Sequence, residues 1–341
     1  MLDDITLESI RAARRNIAHA AIRTPLIELN YSEAPAQIYL KLENLQPIGS
    51  FKLRGATNAM SVASQNDLKA GVVTASAGNM AQGVAWNARR LGIPCTVIVP
   101  DHAPEAKLTA IRRLGAHVDK VSFDEWWKVI ETEQCEHAGL FIHPVCNPAV
   151  IAGNGTIGLE ILEDLPDVDS VIIPFGGGGL SCGIASAIRA TQANTKIYAC
   201  EVATAAPLSA ALGAGSPRTI DYESSFVDGI GSTSVLTAMW PLVRSLIDTS
   251  LVVTPAEIAN AIRLLIERNH VVAEGAGAAA VAAALAGEAD GDKIVCIVSG
   301  GNIDTARLAK ILGGETPQAA PNFSRARSVA SRPETKTPPQ K

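Results

Sequence analysis

The run Ser170-Val171-Ile172-Ile173-Pro174-Phe175 is apolar after its first residue and stops at four consecutive glycines, Gly176 to Gly179, ahead of a helical pattern from Leu180 to Ala190. A strand this apolar has no side for solvent, so it belongs inside a sheet covered on both faces. The succession recurs. Val72-Val73-Thr74 leads through a glycine turn into a helical stretch from Met80 to Leu91, and Cys95 to Pro100 precedes one from Glu105 to Leu114. Lys196 to Cys200 and Lys293 to Val298 read as further buried strands. Strands alternating with helices predict an α/β fold built on parallel sheets. Four glycines in a row are costly if they serve only as a turn. At a strand-to-helix junction they bring backbone N–H groups and a helix N-terminus close to an anion such as a phosphate. The run is not a dinucleotide fingerprint, because Ser181 or Cys182 stands where the last glycine belongs, and no Gly-Lys-Ser/Thr follows to make a P-loop.

Bulk properties narrow the class. A chain of 341 residues, 47% hydrophobic and 18% charged, suits a globule of one large or two medium domains. A net charge of −5 gives no reason to expect nucleic acid or an anionic membrane as partner. The alanine-rich run Gly275 to Gly287 is too short to span a bilayer, which needs about 20 apolar residues. The start Met1-Leu2-Asp3-Asp4 lacks a signal pattern, and the six cysteines are scattered, so a cytoplasmic protein with free thiols is expected. Cys135, His137, His143 and Cys146 lie close together, but their spacing matches no common zinc module.

Lys52 is the candidate reactive group. It stands in Gly49-Ser50-Phe51-Lys52-Leu53-Arg54-Gly55, between a small polar residue, an aromatic and glycines. A solvated loop lysine is the bland alternative for this run taken alone. If the amine is buried, its pKa falls, and the neutral form can make a Schiff base with a carbonyl cofactor. With Ser76-Ala77-Gly78-Asn79-Met80-Ala81-Gln82-Gly83 and Phe175 to Leu180, in this order and spacing, the chain resembles the serine/threonine dehydratase family of fold-type II pyridoxal 5′-phosphate enzymes. The resemblance runs on through His143-Pro144, Ala152 to Gly158, Glu274 to Ala278 and Ser299-Gly300-Gly301-Asn302, and covers roughly residues 5 to 313.

The resemblance implies two parallel-sheet α/β domains of the tryptophan synthase β-like type, with the cofactor in the cleft between them. The larger would take residues 1–49 and 146–314, the smaller 50–145. Residues 315–341, with five prolines and a formal charge of +3, read as a disordered tail. Long biosynthetic relatives carry a regulatory domain there, so feedback control by that route is not expected. Lys52 would hold the cofactor and serve as base, with Phe51 beside it. Gly176, Gly177, Gly178, Gly179 and Leu180 would hold the phosphate. Asn79 would reach the cofactor's phenolic oxygen, its alternative being a helix cap, and Ser299 the pyridine nitrogen. Ser76, Gly78, Asn79 and Met80 would grip the substrate carboxylate.

Three positions depart from relatives. Met80 stands where histidine is usual, which softens that side of the pocket. Ala77 replaces the second serine of related serine racemases and cannot carry a proton, so elimination should prevail over racemisation. Pro207 replaces an aspartate that, with counterparts of Glu201 and the Ala205 carbonyl, binds a divalent ion in metal-activated relatives. Glu201 and Ala205 are left as weak candidates for a monovalent cation.

The implied activity is ammonia-lyase β-elimination on a β-hydroxy-α-amino acid such as L-threonine or L-serine, giving a 2-oxo acid and ammonia. A dehydratase of a bulkier substrate, of the phenylserine or hydroxyaspartate type, is the alternative. A β-replacement synthase or a non-catalytic sensor on the same fold ranks lower. A homodimer or homotetramer is expected, with a small-molecule amino acid as the only other partner.

Overall fold

In the computed structural model, which describes residues 5–318, the apolar runs sort into two sheets. The strands are β1 (Leu26–Glu28), β2 (Gln37–Lys41), β3 (Val72–Ala75), β4 (Cys95–Pro100), β5 (His117–Val121), β6 (Leu140–Phe141), β7 (Ser170–Pro174), β8 (Lys196–Val202), β9 (Thr249–Val253) and β10 (Lys293–Ile297). The larger sheet has the order β1-β2-β10-β7-β8-β9, and all its pairs are parallel except β1 with β2. The smaller, order β5-β4-β3-β6, is parallel throughout.

Period-two burial on two covered faces explains why β7 is apolar after Ser170. Val171 and Ile173 face a core shared with helices Leu7–Ile17, Pro148–Asp164 and Gly179–Arg189. Ile172 faces the opposite core, packed by helices Pro255–Asn269 and Gly275–Leu285. The smaller sheet is likewise covered twice, with Val72 and Val97 on one side and Val73 and Ile98 on the other. The fold is therefore two α/β domains with parallel sheets, of the fold-type II architecture.

Local differences from the sequence reading have simple causes. Phe175 leaves β7 and turns into the core, while β8 runs two residues past Cys200 because β9 pairs it as far as Val202. The expected tail does not begin at Glu315: Pro317 is buried and Gln318 forms an antiparallel bridge with Ser225. Residues 319–341 lie outside the described residues. Among the described residues no helix is long and apolar enough to cross a membrane.

Helix Lys52–Val62 joins the two sheets. A Cβ on Gly153 would lie 2.6 Å from the Arg54 carbonyl, and one on Gly55 would lie 2.7 Å from Val150 Cγ1. Only glycine permits so close an approach to helix Pro148–Asp164. Two residues beyond Lys52, Arg54 is buried to 1% exposure between two carboxylates. Its Nε and Nη2 donate to Glu43 Oε2 and Oε1 at 2.8 and 2.7 Å. Its Nη1 and Nη2 donate to Glu160 Oε1 and Oε2 at 2.6 and 2.9 Å. Lys41 Nζ lies 2.6 Å from Glu160 Oε2, so two cations face two anions. Burial works to raise the Glu43 carboxyl, but the Arg54 charge and hydrogen bonds outweigh it and hold it below its ordinary value.

Removing one member of a buried, balanced set strands its partners. Arg54→Ala is expected to lower the unfolding free energy by about 3–5 kcal/mol. The urea midpoint of the holoenzyme measures this, and a loss no larger than that of a surface arginine would contradict it.

Candidate active site

The ends of both sheets open on one cleft of about 440 Å³, lined by Lys52, Ser76, Gly78, Asn79, the four glycines, Glu274 and Ser299 among others. Parallel sheets bind ligands beyond the carboxyl ends of their strands, and here β3, β4, β7 and β10 all deliver loops to it.

Lys52 is the first residue of its helix, and its Nζ donates to the Pro144 carbonyl at 2.8 Å. Nζ also lies 5.2 Å from the centre of the Phe51 ring. Burial lowers its pKa to about 8, so a useful share of the amine is neutral near physiological pH. The Pro144 carbonyl is aimed by its neighbour. His143 Nδ1 accepts from the Val145 and Cys146 N–H groups at 2.9 and 2.8 Å, so Nε2 carries the proton and donates to the Ile130 carbonyl at 3.1 Å. Burial, assisted by the Lys52 charge, pushes the imidazole down to about 4. His143 is thus a neutral pivot with both nitrogens engaged. His137, its companion in the cysteine–histidine cluster, has Nε2 2.7 Å from Asp119 Oδ2.

The same turn walls the glycine loop. A Cβ on Gly177 would lie 2.5 Å from Val145 Cγ2, and one on Gly179 would lie 3.0 Å from the Val145 carbonyl. Gly178 adopts φ +93°, a conformation that side chains disfavour. These glycines stand at the N-terminus of the eleven-residue helix Gly179–Arg189, where backbone N–H groups are unpaired. A phosphate fits this cradle and a reactive carbonyl fits Lys52, so the residues present suit pyridoxal 5′-phosphate.

Asn79 does not cap its helix; Gly78 holds that position. Its Nδ2 donates to Glu274 Oε1 at 2.7 Å, and its Oδ1 accepts from Asn302 Nδ2 at 2.8 Å. Gly78 has nothing within 4 Å of where a Cβ would stand, so the loop keeps open space in the cleft. Ser76 Oγ accepts from the Gly78 N–H at 3.2 Å. Met80 lines the cleft but is 1% exposed and packs among Ala56, Met60 and Val84 in the smaller domain's core. Leu180 and Phe51 also line it. Glu201 and Ala205 do not. The Glu201 carboxylate accepts from the Leu208 and Ser209 N–H groups at 2.7 and 2.8 Å and from Ser250 Oγ at 2.7 Å. It anchors the start of helix Pro207–Ala214, whose first residue is the proline that replaces aspartate.

A sequence model of the pyridoxal-phosphate dependent enzyme family matches residues 17–300. The chain belongs to this family. An L-threonine ammonia-lyase from Thermotoga maritima is 42% identical over 90% of this chain and 78% of its own. A catabolic L-threonine dehydratase from Escherichia coli K12 is 39% identical over 91% of this chain and 96% of its own. The solved structure of maize serine racemase gives a TM-score of 0.84 at 33% identity, covering 92% of this chain and 98% of that one. The enzyme is a pyridoxal-phosphate dependent lyase of the threonine ammonia-lyase-like group.

Sequence reasoning gave Glu274 no role of its own. Its signal is a lone acid at the head of a helix, Gly275–Leu285, made otherwise of glycine, alanine, valine and leucine. The carboxylate makes no cap bond and reaches Asn79 instead. Burial, reinforced by the Asp228 charge, raises its pKa to about 7 against the pull of Asn79. Asp228 also receives Lys107 Nζ at 2.7 Å, an ion pair that bridges the cleft from the smaller domain's helix Glu105–Arg113.

A carboxyl raised from 4.5 to about 7 binds more protons folded than unfolded between those limits. Its contribution to stability is complete below the lower limit and lost as pH rises through the upper one. Glu274→Gln is therefore expected to gain thermal stability relative to the parent as pH rises from about 5 to about 8. Unfolding midpoints that run parallel across this range would contradict the assignment.

Proposed function

We propose that this lyase removes water and then ammonia from a β-hydroxy-α-amino acid, with L-threonine and L-serine as reference substrates, releasing a 2-oxo acid. The observation that carries the proposal is the convergence on one cleft of Lys52 Nζ, the glycine cradle and the open Ser76–Asn79 loop. Bound pyridoxal 5′-phosphate supplies the electron sink for negative charge at Cα. Lys52 Nζ would hold the cofactor and, as a free amine, accept the Cα proton, a task suited to an amine of pKa about 8. Gly176 to Gly179 would hold the phosphate by backbone N–H groups, Ser299 would meet the pyridine nitrogen, and Asn79 would meet the phenolic oxygen while Glu274 fixes its amide. Ser76, Gly78 and the start of helix Asn79–Leu91 hold the substrate carboxylate without an arginine.

Ala77 lines the cleft on the substrate loop and has no proton to give. That favours loss of the β-hydroxyl over return of a proton to the opposite face of Cα. Glu201, already holding three donors, is poorly placed to take a cation as well.

Lys52→Ala should abolish 2-oxo-acid formation and the visible absorbance of a lysine Schiff base, and Gly177→Asp should weaken cofactor affinity by setting a negative charge at the cradle. Borohydride reduction that fixes the cofactor to another lysine would refute the first, and an unchanged cofactor dissociation constant the second. L-Serine should give pyruvate with little D-serine, and Ala77→Ser should raise the D-serine share. Chiral analysis showing D-serine from the parent at a rate comparable to pyruvate would overturn the elimination reading.

A further inference from the structure

Aromatic residues make up only 4% of this chain, and two of its four tryptophans line the cleft. Trp126 and Trp127 come from helix Phe123–Thr132, which follows β5 at the carboxyl edge of the smaller sheet. They form a continuous wall with their neighbours. The His102 and Phe123 ring centres are 5.9 Å apart, Phe123 and Trp126 5.7 Å, and Trp126 and Trp127 6.2 Å, all at tilted angles. These separations fall in the range where rings attract beyond simple burial.

The wall is held in place. Ser122 and Glu125 close a capping box at the start of the helix. Trp126 packs on the core of Val73, Ala75, Ile98 and Ile130, and Trp127 Nε1 donates to Glu131 Oε1 at 2.8 Å. Yet Phe123, Trp126 and Trp127 all keep partly exposed surface, and all three line the cleft. Three fixed, partly covered rings lining the same cleft as Lys52 make a seat for a flat apolar group.

The charges in the cleft argue the same way. Its lysines, among the described residues, are Lys52, hydrogen-bonded to the Pro144 carbonyl, and Lys107, paired with Asp228. No arginine among the described residues lines it. An anionic β-substituent would find neither amine unengaged, whereas an aryl group needs no counter-charge. Met80, buried in the smaller domain's core, is a weaker candidate for selecting the β-substituent than these rings.

We propose that the preferred substrate carries an aromatic ring on its β-carbon, seated against Phe123, Trp126 and Trp127. This rests on the lyase reading above. For 3-phenylserine the Cα proton passes to Lys52 Nζ, the Cβ–O bond breaks and water leaves. The enamine takes a proton at Cβ and hydrolysis of the C–N bond consumes one water, so the net products are phenylpyruvate and ammonia; Cα is oxidised as Cβ is reduced, and no external oxidant is needed.

The test compares kcat/KM of the holoenzyme for L-threo-3-phenylserine, L-threonine and L-serine, in the parent and in Phe123→Ala and Trp127→Ala. Phenylserine should lead threonine by about 10- to 200-fold, the range that added apolar contact provides, and both variants should shrink that ratio. A preference for threonine or serine, a ratio unmoved in both variants, or an equal loss on all three substrates would overturn the aromatic seat. A second readout needs no elimination. L-Phenylalanine, which lacks a leaving group, should perturb the cofactor spectrum at lower concentration than L-alanine does, and Trp127→Ala should erase that difference. Equal dissociation constants in the parent would overturn the seat. An absence of 2-oxo acid from all three hydroxy substrates, with phenylalanine still preferred, would overturn the lyase reading and leave the seat standing.

Discussion

The guanidinium of Arg54, clamped between Glu43 and Glu160, sets the frame for everything around the cleft. Glu43 follows β2 of the larger sheet, Glu160 sits on helix Pro148–Asp164, and Arg54 is on the helix that opens with Lys52. Bidentate bonds on both sides leave that helix little freedom to rotate or slide, because a planar fork tolerates small misalignment only. A buried ionic set of this kind is weak evidence for stability in itself, since apolar groups could fill the same space. What it supplies is register. A rotation of one residue would carry Lys52 away from the Pro144 carbonyl.

A second constraint is the turn 143–146, where one neutral imidazole governs two functional elements. By accepting two backbone N–H groups, His143 shapes the turn so that the Pro144 carbonyl meets Lys52 and Val145 packs against Gly177 and Gly179. The pKa values are mutually consistent. Burial favours the neutral form of Lys52, of His143 and of Glu274 alike. A cleft that suppresses its own charges suits the proposed reaction, in which a proton must leave a carbon. The Asn302–Asn79–Glu274 chain and the Lys107–Asp228 pair join the smaller domain to the larger across this cleft, so domain position and site geometry are linked.

Much of the fold could be read in advance because its strongest signals are local. An apolar strand, a glycine turn and a helix announce themselves within about twenty residues, and β3, β4, β7, β8 and β10 stood out in this way. Strands β1, β2, β5, β6 and β9 did not. β6 has two residues, β5 is partly exposed and polar at His117, Asp119 and Lys120, and β9 is an edge strand; each takes its identity from a partner distant in sequence. The order β5-β4-β3-β6 likewise depends on long-range pairing that no local pattern encodes.

The sequence by itself determined the α/β class and singled out the glycine run Gly176 to Gly179 and Lys52, because these rest on residue types whose backbone or side-chain chemistry is special wherever they occur. Only the tertiary structure decided which side chains meet. It committed Glu201 to the head of a helix, withdrew Met80 into a core and set Glu274 against Asn79 from 195 residues away. It also carried Phe123, Trp126 and Trp127 from an ordinary amphipathic helix to the wall of the cleft. The reason is geometric. A side chain's partners and its degree of burial depend on how distant elements pack, and pKa, charge balance and pocket shape all follow from that packing.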